Sequence, residues 1–169
     1  MTLELTPFAW FHTILSVIAL VSGFIVVFGL LGSRVLGGWT TIFISSSIAT
    51  SVTGFGFGGP FGASHWVGVI ALVVLAVAIL ARYVRHLAGA WRWVYALSAV
   101  LTLYFLVFVL IVQLFKKVSA LYALAPTLAE PPFAYAQTAN LVVFIILMIL
   151  AARAFRPGPG GPRPEPTGA

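Results

Sequence analysis

The sequence predicts an all-α, polytopic membrane protein: a five-helix transmembrane bundle with its N-terminus outside and its C-terminus inside. Three observations predict it. Of 169 residues, 62% are apolar and only 7% are charged, whereas a soluble domain runs near 45–50% and about 25%. Several uncharged stretches approach the ~20 residues needed to cross a hydrocarbon layer ~30 Å thick. The Lys and Arg residues fall unequally on the two sides that those stretches define. Composition therefore excludes a soluble domain. The absence of cysteine excludes a disulfide scaffold and a thiolate metal site. A net charge of +6 spread along the whole chain is no nucleic-acid patch, so no nucleic-acid partner is expected.

The expected spans cover residues 8–31, 39–57, 65–84, 93–115 and 135–153, in a single transmembrane domain over 1–155. The first is uncharged, and Glu4 is the only charge before it. It lacks the basic flank and short apolar core of a cleavable signal, so it is read as a span passed outward. The second is rich in Ser, Thr and Gly, and by hydropathy alone fits either a span or a re-entrant segment. The third is Leu, Ile, Val and Ala from Val69 to Leu80, with the stems of Arg82 and Arg85 extending it. The fourth ends at Lys116 and Lys117. Between it and the fifth, Val118, Leu121, Tyr122 and Ala125 recur at helical spacing and predict a short interfacial helix stopped by Pro126. Pro131 and Pro132 predict an extended entry into the last span. The tail 156–169, RPGPGGPRPEPTGA, is expected to be a disordered cytoplasmic segment.

Charge and tryptophan place the weak second segment among the spans. With five spans, Arg34, Arg82, Arg85, Arg92, Arg153, Arg156 and Arg163 lie inside, and only Lys116 and Lys117 outside. Skipping the second segment weakens that bias. Trp10, Trp39, Trp66, Trp91 and Trp93 all fall at span ends, where an indole sits at headgroup level.

Helices in lipid associate through close packing and interhelical hydrogen bonds. Ser46, Thr50 and Gly54 share a face of the second span, and Gly54 with Gly58 forms a G-x-x-x-G. His12, Ser16, Ala19 and Gly23 form a matching stripe on the first. These stripes are read as the packing surface between the two spans. Gln113, Gln137 and Asn140 are interhelical polar groups, because an unpaired amide is costly in hydrocarbon. Gln113 and Gln137 are expected to meet near the outer ends of the last two spans, as packing groups or as the lining of a vestibule.

No acid lies inside a span, which argues against carboxylate-coupled transport. His12 and His65 lie at similar depth near the outer face. Two imidazoles on different helices are a possible pair of ligands for haem b or a divalent metal, with Glu130 as a third ligand or a supporting acceptor. The plainer reading is an interfacial histidine at each place and no cofactor. His86 belongs to the opposite face. Arg82, Arg85 and Arg92, with Trp91 and Trp93, are read as a cytoplasmic anchor in the headgroup layer, or else as a patch for an anionic partner.

The stretches S51-V-T-G-F-G-F57, L80-A-R-Y-V-R-H-L-A-G-A-W-R-W93 and L124-A-P-T-L-A-E-P-P-F133 resemble a family of small proteobacterial multipass membrane proteins. The resemblance spans most of residues 12–150. It implies a bacterial inner-membrane location and brings no activity, cofactor or catalytic residue with it. The expected function is that of a non-catalytic subunit or accessory of a larger membrane system, partnered by the bilayer and by a second copy or another membrane protein. The alternatives are a haem- or metal-binding redox protein using His12 and His65, and a carrier of small solutes or lipids.

Overall fold

The computed structural model describes residues 6–57 and 62–156, and every regular element among them is helical. Gly58 and the tail beyond Arg156 lie outside the described residues. The elements are α1 (Pro7–Leu31), α2 (Gly37–Gly54), α3 (Ala63–Ile79), α4 (Trp91–Lys117), α5 (Ser119–Leu124) and α6 (Pro131–Ala154). Four helical stretches are long and apolar enough to cross a membrane: α1, His65–Val84, α4 and α6.

Local chemistry starts and stops these helices. Thr6 Oγ1 accepts the Ala9 amide at 3.3 Å and Pro7 opens α1. A hydroxyl cap followed by proline is a strong start, since proline lacks only an N–H that would go unpaired there anyway. The same rule corrects one expectation. Pro131 and Pro132 do not form an extended lead-in but occupy the first turn of α6. Only Glu130, the residue before them, is extended. α5 forms where the helical spacing places it, ending at Leu124 with Ala125 as its cap, just before Pro126.

α2 lies antiparallel along most of α1. At one end Gly29 faces Leu36, midway Gly23 faces Phe43, and at the other end His12 faces Thr53 and Phe8 faces Gly56. A Cβ on Gly23 would stand 2.7 Å from a Phe43 ring carbon and 2.8 Å from a Leu103 methyl. That glycine lets α1, α2 and α4 approach one another. The serines act differently from simple cross-helix glue. Ser16 and Ser46 donate back to the carbonyls of His12 and Ile42 in their own helices. Their contribution to packing is small size.

The core joins Val26, Val27 and Leu30 of α1 to Phe43 of α2, and Tyr95, Ala99, Val100 and Leu103 of α4 to Phe144 of α6. α3 contributes a narrow stripe of Ala71, Leu75 and Ala78 and exposes Ile70, Val73 and Val77. α6 exposes Leu141, Val142, Ile145, Ile146 and Ile149. Broad apolar exposure of this kind suits helices whose solvent is hydrocarbon.

α3 ends in a π-helical turn, Leu80–Val84, closed by Arg85 N–H donating to the Leu80 carbonyl. The wider turn buries Ala81 and sets Arg82 against the bundle, its guanidinium 5.3 Å from the Tyr83 ring centre and 5.7 Å from that of Tyr95. The connection to α4 then uses three left-handed residues, His86, Leu87 and Gly89.

Candidate functional site

The bundle has two chemically different ends. At one, His12 Nδ1 is 2.8 Å from Thr53 Oγ1. The Thr53 hydroxyl donates to the Ala49 carbonyl at 2.7 Å, so it accepts from the ring. His12 therefore carries its proton on Nδ1 and keeps a bare Nε2. Its ring meets Phe57 edge-on at 4.8 Å, and Phe57 in turn packs on Phe8. His65 is held in the opposite tautomer. Its Nδ1 accepts the Gly62 amide at 3.2 Å, which puts the proton on Nε2, and its ring leans on Phe55 at 5.7 Å. A haem held through both Nε2 atoms needs both bare. These bonds provide that at His12 and not at His65.

Glu130 is engaged elsewhere. Its carboxylate accepts the Thr127 hydroxyl at 2.8 Å, the Thr127 amide at 3.2 Å and the Ala129 amide at 3.1 Å. Among the described residues no group of three His, Cys, Asp or Glu is placed to hold a metal ion, so His12, His65 and Glu130 do not form a three-ligand set. Glu130 is instead the clasp of the loop before α6. Slight desolvation pushes its carboxyl up, but the hydrogen bonds from Thr127 and the neighbouring amides outweigh that and hold it below its ordinary value of 4.5. A lowered folded value means that the stabilisation is complete above the ordinary value and is lost as pH falls through the lowered one. Thermal unfolding in detergent is expected to show a modest acid-side decline in the wild type that is absent in Glu130→Gln. Parallel acid profiles for the two proteins would refute the clasp.

Polar side chains inside the spans tie helix to helix, though not in the expected pairs. Gln137 donates from Nε2 to the Phe108 carbonyl at 3.2 Å and does not meet Gln113, which is exposed and makes no hydrogen bond among the described residues. The reason is register. α6 starts at Pro131, which sets Gln137 level with Phe108, while Phe133 packs edge-on against Phe115 at 5.4 Å nearer the end of α4. Asn140 is buried and its Nδ2 has no partner, so the cross-helix bond on this face is made one turn earlier. Two bonds escaped the sequence. Thr40 Oγ1 and Tyr95 Oη are 3.2 Å apart in the core, and Thr41 Oγ1 and Tyr83 Oη are 3.4 Å apart. No spacing rule links partners so far apart in the chain. A Cβ on Gly54 would meet His12 only at ordinary contact distance, 3.8 Å, so this position is less confining than Gly23.

The other end is rich in arginine. Arg85 stacks over Trp91 at 5.1 Å and Arg92 over Trp93 at 5.0 Å, so the anchor residues form cation–π pairs, while Arg82 is drawn inward onto tyrosine. A groove of about 430 Å³ is lined by Arg92, Trp93, Ala152, Arg153 and Arg156, joining the start of α4 to the end of α6. The backbone at Arg156 is held there by its neighbours. Phe155 is fully buried with its ring 6.0 Å from that of Tyr95, and the Arg156 amide donates to Ser33 Oγ at 2.8 Å.

Helices of this length and composition, with polar contacts turned inward, define a multipass α-helical membrane protein. Compared with protein-family models, curated proteins and solved structures, the chain matches none.

Proposed function

We propose that the chain is a five-span protein of the bacterial inner membrane, N-terminus outside and C-terminus inside, serving as a non-catalytic subunit or accessory of a larger membrane system. The observation that carries this reading is the use of polar side chains. His12 with Thr53, Thr40 with Tyr95, and Gln137 with the Phe108 carbonyl all join one helix to another. Such bonds make a scaffold whose broad apolar faces meet lipid, a second copy or a partner helix. The fifth span is α2. Its 18 residues reach about 27 Å at 1.5 Å per residue, and it accompanies α1 from Gly29 to Phe8. The orientation follows from six described arginines at one end against Lys116 and Lys117 at the other.

Reporter fusions after Lys117 and after Arg156 are expected to report outside and inside respectively. A tail reporting outside overturns the five-span arrangement. Mild-detergent purification is expected to yield a self-associated or partnered species, and a strictly monomeric, partner-free protein overturns the accessory role. The redox reading draws its support from the bare Nε2 of His12 alone. A Soret band in the purified protein would reinstate it, and with it a rearranged His65.

A further inference from the structure

We propose that the groove between the start of α4 and the end of α6 binds a phosphate-bearing anion. Three guanidinium-bearing residues, Arg92, Arg153 and Arg156, converge on it with Trp93. Among the described residues no acid answers them: Glu130, the one acidic residue there, belongs to the loop at the opposite end of the bundle. The start of α4 brings the partial positive charge of a helix N-terminus and the end of α6 the partial negative charge of a C-terminus, so these offset one another and the three guanidinium groups set the sign of the field. Like charges held together without a counter-charge repel, and an anion in the groove relieves the repulsion.

Two of the three arginines have anchored supports: Arg92 stacks on Trp93, and the backbone that carries the exposed Arg156 side chain is fixed by the burial of Phe155 and by the Ser33 bond. A phosphate presents several oxygens to more than one guanidinium fork, which suits arginine better than lysine. The half-exposed Trp93 offers an apolar ring beside those charges, the amphipathic setting of a headgroup layer. The phosphate belongs either to an anionic lipid headgroup or to a free soluble phosphate.

The full-length protein in neutral detergent separates these. Phosphatidylglycerol, phosphatidylcholine and inorganic phosphate are titrated separately, with binding read by thermophoresis. Each cation near such a headgroup is worth a factor of about five. Arg153→Gln is therefore expected to weaken phosphatidylglycerol binding about fivefold, and R92Q/R153Q/R156Q about 100-fold. Lys116→Gln with Lys117→Gln, the same kind of change at the other end, is expected to leave binding unchanged. Competition by millimolar inorganic phosphate identifies the soluble anion as the occupant, and resistance to it identifies the lipid headgroup. Equal binding of phosphatidylcholine, or undiminished binding in the triple variant, overturns the site. If the triple variant does not fold, Arg153→Gln decides: Arg153 is exposed, and unchanged binding in that variant is equally fatal.

Discussion

Gly23→Leu is expected to lower the unfolding midpoint of the detergent-solubilised protein by about 10 °C, corresponding to about 3 kcal/mol. A Cβ alone at this position comes within 2.8 Å of both Phe43 and Leu103 side-chain atoms. Phe43 is 1% exposed and Leu103 is 0% exposed, so neither has open space into which to retreat. The remaining leucine carbons would have to separate α1 from α2 and α4 along their shared seam. Gly23→Ala introduces only the Cβ contacts with Phe43 and Leu103. It also gains about 1 kcal/mol of helix propensity, so its net loss is expected near 1 kcal/mol. Gly38→Ala is the control. Nothing lies within 4 Å of the added carbon, so the substitution should be neutral or slightly stabilising. Equal losses for Gly23→Leu and Gly38→Leu would show that the three helices do not meet at Gly23.

The seam also marks how far the sequence could be read. Gly23, Ser46 and Thr50 are legible as packing positions because small residues at helical spacing have one main use in a membrane. Gly29 and Gly56 are not legible, although a Cβ on either would meet Leu36 or Phe8 within 3 Å. Their importance depends on which large residue stands opposite, and only the register of α1 against α2 decides that. The same limit governs the polar pairs. Gln137 is legible as a cross-helix donor, but its acceptor is a backbone carbonyl, a group that every residue carries. The arginines are legible as one-sided charge. Their division into tyrosine-bound Arg82, tryptophan-stacked Arg85 and a groove formed by Arg92, Arg153 and Arg156 requires the π-helical turn and the packing of α6 on α4. Neither leaves a pattern in composition.

Phe155 carries the second large effect; it lies just past the last expected span, as the final residue of the expected transmembrane domain, where no spacing pattern marks it. Its ring is fully buried against Tyr95, whose hydroxyl pairs with Thr40 and whose face receives Arg82. Removing it opens a cavity beside Tyr95. In water-soluble cores Phe→Ala costs 3–5 kcal/mol, part of it the transfer of the ring from water. At the margin of a bilayer that part shrinks, because the unfolded reference is itself partly in lipid. A loss of about 2 kcal/mol, or about 6 °C, is therefore expected for Phe155→Ala. The substitution also frees the segment that holds Arg156 at Ser33. Phosphatidylglycerol binding should then fall although every arginine remains, whereas Phe155→Leu should retain most of both properties. A Phe155→Ala protein that lost stability but bound the lipid as before would separate the two effects. Arg156 would then be positioned by Ser33, and Ser33→Ala, which removes the acceptor of the Arg156 amide, would become the substitution that releases it.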